Sequence, residues 1–168
     1  PFNGRIARFI SKEYLRNSAK LVNKIEASSE DFSGHVIICG YGRGGQYLGR
    51  FLKEENISFI AIDMDLNRVN DAANAGEKVM YGDASRRAVL RAAGIERAKA
   101  LVMTYSDDRA STKVLNVIRE TYPDLPVVVR TSDDSSIQQL QDAGATDVVP
   151  EVLEGSLMLA SHALVLLD

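Results

Sequence analysis

Residues 40–45 read Gly40-Tyr41-Gly42-Arg43-Gly44-Gly45, a G-x-G-x-x-G spacing that follows an apolar run and opens an amphipathic one. The chemistry of such a loop is phosphate binding. The first glycine permits a tight turn, the second lets backbone approach a pyrophosphate, and the third, Gly45, lets the helix pack close to the strand. Free N–H groups and the dipole at the helix start favour negative charge there. Arg43 lies inside the loop and adds a candidate charged contact.

Two further acids stand where a nucleotide would want them. Asp63 ends the run Phe59–Asp63, eighteen residues after Gly45, close to the spacing of the acid that accepts hydrogen bonds from ribose hydroxyls. A carboxylate there repels a 2′-phosphate, which favours NAD or an adenosine nucleotide over NADP. The competing role is capping the next helix, which Asp65 can also perform. Asp83, in Tyr81-Gly82-Asp83-Ala84-Ser85, either accepts from an adenine amino group or N-caps the helix starting near Arg86, and the two are compatible. Thr104 and Ser106 follow the fourth apolar run and are candidates to face phosphates or the second half of a dinucleotide. Asp107 and Asp108 read as acids of a helix N-terminus, with no His or Cys nearby to complete a metal site or an acid–base pair.

The elements that must hold these residues are short and alternate. Strands are expected at Val36–Cys39, Phe59–Asp63, Lys78–Tyr81, Ala100–Thr104, Val127–Arg130 and Asp147–Val149. The first, second, fourth and fifth are apolar nearly throughout, as strands covered on both faces of a parallel sheet are. Helices are expected at Gly44–Glu54, Leu66–Ala75, Ser85–Ala93, Asp108–Thr121, Ser135–Asp142 and Glu151–Leu167. Gly76, Gly94 and Gly144 each fall where a left-handed residue ends a helix. The sum is an α/β fold: a doubly wound, Rossmann-like parallel six-stranded sheet with helices on both faces. An N-terminal amphipathic helix precedes it. Residues 1–33 are expected to form this basic helix and a connector, and residues 34–168 the nucleotide-binding domain.

The first thirty residues differ from the rest. Six bases (Arg5, Arg8, Lys12, Arg16, Lys20 and Lys24) against three acids leave about +3 there. Phe2, Ile6, Phe9, Ile10, Tyr14, Leu21 and Ile25 fall mostly on the opposite side of the wheel. Such a helix, over residues 1–25, either touches an anionic membrane surface or a partner, or packs on its own domain. The whole chain of 168 residues carries −3, which gives no electrostatic footprint for nucleic acid. Its single cysteine, Cys39, suits a reducing compartment and reads as a small core hydrophobe. No apolar run is long enough for a membrane span. The start without methionine and the stop within an apolar pattern lead us to expect a larger natural protein. The apolar last helix is expected to be shared with a partner.

An enzyme is not the expectation. A dehydrogenase wants a proton donor beside the nicotinamide and a pocket for a second substrate. His35 lies at the far end of the sheet and His162 in the last helix, while Tyr105 is followed four places on by Arg109 rather than Lys. The alternative is a small NAD-dependent oxidoreductase.

Taken together, these stretches resemble a known family. Val36 through Gln46 resembles the G-x-G-R-x-G-Q opening of RCK N-terminal (TrkA-N type) nucleotide-binding domains, the cytoplasmic regulatory domains of potassium channels and transporters. Asp63-Met64-Asp65 looks like their second-strand acid cluster, and Val79 through Ser85, with Asp83 and Ala84, like their V-x-x-G-D-A-[ST]. Leu90-x-x-Ala93-Gly94 and Leu140-x-x-Ala143-Gly144 match as well, so the resemblance covers roughly residues 35–165. Arg43-x-x-Gln46 and Glu151-x-x-Glu154-Gly155 look most like the Kef-type monovalent cation/proton antiporters. The resemblance implies a domain that binds AMP or NAD(H), pairs as a homodimer and controls a transmembrane transport domain from the cytoplasmic face of a bacterial inner membrane. It implies a cofactor-binding set of Gly40, Gly42, Arg43, Gly44, Gly45, Gln46, Asp63, Met64, Asp83, Ala84 and Thr104. Arg130 matches one arginine of the Kef glutathione site, but glutathione control is not carried over.

Overall fold

The computed structural model describes residues 2–167, with side chains described for Lys12 and from Leu15 onward. Six parallel strands, β1 (Val36–Cys39), β2 (Phe59–Asp63), β3 (Val79–Tyr81), β4 (Ala100–Met103), β5 (Val127–Thr131) and β6 (Asp147–Pro150), form one sheet in the order β3-β2-β1-β4-β5-β6. That order reverses between β1 and β4, where Val36 pairs with Phe59 on one side and with Ala100 on the other. Ligands of open α/β sheets sit at the carboxyl ends of the strands beside such a reversal.

Among the described residues seven α-helices accompany the strands: α1 (Phe2–Ser29), α2 (Arg43–Glu54), α3 (Leu66–Asn74), α4 (Arg87–Ala92), α5 (Asp108–Thr121), α6 (Ile137–Asp142) and α7 (Glu151–Val165). Period-two alternation in β1 divides the core. Ile37 and Cys39 join Leu115 and Ile118 of α5, Leu90 of α4 and Ile25 of α1 on one face. Val36 and Ile38 join Phe59, Ala72 of α3 and the flank of α2 on the other. Every residue of β1 and β2 is buried, as their composition requires. The expectation of two covered faces fails for β4 and β5: Leu101, Met103, Val127 and Val129 are buried, whereas Val102 and Val128 are only half-buried. The helices α2 and α3 cover the second face over β1 and β2 and stop short of β5.

Helix ends follow the glycines. Gly76, Gly94 and Gly144 have φ of +77°, +76° and +114° just past α3, α4 and α6, the left-handed conformation that a residue with a Cβ adopts only under strain. The helix expected at Ser85–Ala93 begins later, at Arg87, and the one expected at Ser135–Asp142 starts as a 3₁₀ turn, Asp134–Ser136. Both delays follow from Asx turns: the carboxylates of Asp83 and Asp133 take the N–H groups of Ser85 and Ser135.

The last turns of α1 belong to the packed body. Ile25 and Ser29 are buried, and the Ser29 hydroxyl donates to the Ala92 carbonyl. Arg97 donates to the carbonyls of Phe32 (2.9 Å) and Ser29 (3.2 Å), closing the junction. Lys12, Arg16, Lys20 and Lys24 are exposed. The expected apolar positions Phe2, Ile6, Phe9, Ile10 and Tyr14 lie outside the described side chains, as do Arg5 and Arg8. No described helix is long and apolar enough to cross a membrane. Along α7, by contrast, Val152, Leu153, Leu157, Met158, Leu159, Leu164 and Val165 are all exposed.

Candidate functional site

A cleft of about 790 Å³ opens at the carboxyl ends of β1 to β4. Its base is the turn from Cys39 through Gly40 and Gly42 to Gly44. Gly40 has φ +96°, and a Cβ there would stand 2.8 Å from Thr104 Oγ1 and 2.9 Å from the Tyr105 ring. Conformation and space both demand glycine. Gly42 precedes α2 in an extended conformation and offers its first turn no side-chain cap. The opening amides of α2 therefore lack protein acceptors and face the cleft with the positive end of the helix dipole.

Gly45 and Gln46 sit outside the lining. A Cβ on Gly45 would lie 2.3 Å from the Gly40 carbonyl oxygen, so its absence is what lets α2 rest on the end of β1. The Gln46 side chain donates to the Tyr41 carbonyl at 3.3 Å, fastening the loop from behind. The Tyr41 ring turns away from the cleft, buried against Phe59.

Asp63 forms the wall on the β2 side. It is buried, and its carboxylate accepts from the backbone N–H groups of Tyr41 and Asp65 at 2.7 Å each. Arg68 Nη1 donates to the same group at 3.3 Å. The capping role goes to Asp65, which accepts from the N–H groups of Asn67 and Arg68 at the start of α3. Asp63 is thus left as the acid that joins the glycine loop to the cleft wall. Met64, exposed, continues that wall. At the end of β3, Gly82, Asp83 and Ala84 complete it. Asp83 is no N-cap, since Arg86 holds that position without a side-chain bond. Its Oδ1 accepts instead from the N–H (2.9 Å) and hydroxyl (2.7 Å) of Ser85.

The opposite wall comes from β4 and α5. Thr104 points its hydroxyl at the Gly40 carbonyl (2.6 Å), holding the loop rather than offering a free donor to the cleft. Ser106 donates to Glu151 of α7. Asp107 N-caps α5 through the Ala110 N–H, and Asp108 accepts from the Thr131 hydroxyl at 2.9 Å. Arg109, Lys113 and Arg130 also line the cleft. With Arg43 and Arg68 they make five cations against the three carboxylates Asp63, Asp83 and Asp107, a balance suited to a phosphorylated ligand.

The reactive-looking side chains are quiet. Complete burial pushes the Cys39 thiol up to about 12. Burial, and then the proximity of Cys39 and of the Asp83 and Asp107 carboxylates, raise the Tyr105 hydroxyl far above its ordinary value. Neither group ionises near neutrality to act as a nucleophile or base. Among the described residues no cluster of His, Cys, Asp and Glu is arranged to hold a metal ion.

The reading from sequence missed Arg68, Arg109 and Lys113. Their common signal is position: each stands in the first turn or two of a helix that starts at the carboxyl edge of the sheet.

The TrkA-N domain model matches residues 36–151 of the chain. A putative K(+) efflux antiporter KefB of Alkalimonas amylolytica is 37% identical, over 99% of this chain and 25% of its own length. A glutathione-regulated potassium-efflux system protein of Haemophilus influenzae is 31% identical, over 97% of this chain and 27% of its own. The chain thus spans about a quarter of these relatives. Among solved structures, the AMP-bound form of a Shewanella denitrificans Kef CTD superposes with a TM-score of 0.65 and 31% identity, over 80% of this chain and 81% of that one. The TrkA-N domain of the Escherichia coli inner membrane protein ybaL gives 0.68 and 27%, over 82% and 99%.

Proposed function

The chain belongs to the TrkA-N domain family, and from that premise we propose that it is the nucleotide-sensing regulatory domain of a monovalent cation/proton antiporter of the Kef type. The observation that carries this reading is one juxtaposition. The uncapped start of α2 and the buried carboxylate of Asp63 border the same cleft. Phosphate rests on the first, and the free lone pairs of the second accept from ribose hydroxyls. Met64, Asp83 and Ala84 enclose the base, and Arg43 and Arg68 flank the phosphate. Gly45 and Gln46 shape the loop from outside the cleft lining, and Thr104, which lines the cleft, holds the loop through the Gly40 carbonyl.

AMP and NAD(H) are the proposed ligands; the AMP-bound relative supports the first. No catalytic step is assigned; what supports this reading is that the similar proteins are named as potassium-efflux proteins. Control is by linkage: a nucleotide that binds one arrangement of the assembly more tightly shifts the population toward it. The assembly is a pair of chains meeting through the exposed apolar side chains of α7, on the cytoplasmic face of the membrane, with α1 leading toward the transport domain. This part rests on the family resemblance and on the exposure of α7.

The test is calorimetry with AMP, NAD⁺, NADH and NADPH, and an assay of NADH oxidation against a carbonyl panel. AMP or NAD(H) is expected to bind, with NADPH weakest and NADH unconsumed. Indifference to every adenine compound at millimolar concentration overturns the reading, and turnover of NADH replaces it with an oxidoreductase.

A further inference from the structure

Arg130 lies one residue before the end of β5, with its side chain between the cleft and the first turn of α7. On one side it reaches the cleft: its Nη1 donates to the Thr104 carbonyl at 3.2 Å and lies 3.9 Å from where a Cβ on Gly44 would stand, one residue into α2. On the other side it holds the first turn of α7. Its Nε donates to Glu154 at 3.0 Å, and its Nη1 is 3.5 Å from Glu151. Glu151 also receives the Ser106 hydroxyl, from the loop that follows β4. We propose that Arg130 is shared between bound nucleotide and α7, so that a phosphate at the start of α2 draws the guanidinium away from Glu151 and Glu154 and loosens the first turn of α7.

The proposal rests on the nucleotide reading above and concerns how occupancy is reported. A phosphate and two carboxylates compete for one planar cation, and Arg pairs with either in the same fork geometry. All three side chains are partly solvated (32% exposed for Arg130, 37% and 47% for the two acids), so the pairs are weak enough to exchange. No side chain caps α7, whose N-cap position is Pro150, and its apolar residues are not buried on the body of the domain. The arginine contacts are therefore a substantial part of what orients this helix. Coupling of this kind is reciprocal: whatever takes Glu151 and Glu154 away from Arg130 strengthens nucleotide binding.

The experiment compares the whole chain with a Glu151→Gln/Glu154→Gln double variant and with Arg130→Gln, titrating AMP and adenosine by calorimetry. The double variant is expected to bind AMP about two- to fivefold more tightly, the worth of a partly exposed ion pair, with adenosine unchanged. Arg130→Gln is expected to weaken AMP and leave adenosine as it was. Hydrogen exchange of the amides of residues 151–157 is expected to quicken when AMP saturates the wild type and to be already fast in Arg130→Gln. If the double variant binds AMP as the wild type does, or tightens adenosine equally, the sharing of Arg130 is refuted while the nucleotide reading stands. A wild type that binds neither AMP nor adenosine refutes the sharing of Arg130, and one that ignores NAD(H) as well removes the nucleotide reading with it.

Discussion

The Asp63 carboxylate receives the backbone N–H of Tyr41 at 2.7 Å, so the acid at the end of β2 and the glycine loop at the end of β1 are one unit. The residue placed to meet the sugar also fixes the loop placed to meet the phosphate. Asp63→Ala is expected to abolish measurable AMP binding and to lower stability by about 1–3 kcal/mol, the penalty for stranding buried donors. Asp63→Asn keeps one acceptor for those amides. It is expected to recover most of the stability and little of the affinity, read by urea denaturation beside calorimetry. Full affinity in the alanine variant would remove Asp63 from the site.

Two glycines in helices should respond in opposite senses. Gly45→Ala puts a methyl 2.3 Å from the Gly40 carbonyl and must push α2 off the strand. It is expected to lose about 1–3 kcal/mol, as overpacked sites do. Gly155, inside α7, has nothing within 4 Å of its missing Cβ. Gly155→Ala is expected to gain about 0.4–1 kcal/mol by narrowing the unfolded ensemble. Thermal melting of both variants checks the contrast.

His35 supplies a pH dependence of stability. The ring is buried, its Nε2 bonds the Ala93 carbonyl at 2.8 Å, and its Nδ1 has no partner among the described residues. Burial lowers its pKa below 6.5; the Ala93 bond opposes this, and nearby Arg97 adds to the lowering. The unfolded chain therefore takes up a proton more readily than the folded one. The contribution is complete above 6.5 and is lost as pH falls from there through the folded pKa. Urea denaturation between pH 8 and pH 5 is expected to show this loss, and His35→Gln to flatten it relative to the wild type. An identical pH slope in the variant would clear His35 of the effect.

The α7 surface predicts association. The wild type is expected to sediment as a dimer, and Leu157→Lys with Leu164→Lys, both exposed positions, as a folded monomer with unchanged circular dichroism. A wild type that stays monomeric at every concentration would end the pairing reading.

The strand segments and the positions of the helix-ending glycines were legible because both are local: a four-residue apolar run or a single Gly past a helix announces itself. The loop and Asp63 were legible by spacing. What escaped depended on how elements face one another. Val102 and Val128 look as apolar as Ile38, yet which sheet face stays open is decided by where α2 and α3 end. The cleft position of Arg109 and Lys113 depends on the rotation of α5 about its axis. Asp83 and Thr104 line the cleft, but each hydrogen bonds its own neighbourhood, a choice made by backbone geometry at the strand ends.

One glycine separates the cleft from the long first helix. Gly82 lines the cleft, and behind it a Cβ would meet Val89, Ile25 and Ile62 at 3.1–3.3 Å. The back of the chamber is there a single thickness of main chain, with α1 leaning on its outer side through Ile25. A tug on α1 from its N-terminal end thus arrives at the chamber without passing through any intermediate layer, and a guest inside presses back on the same thin panel.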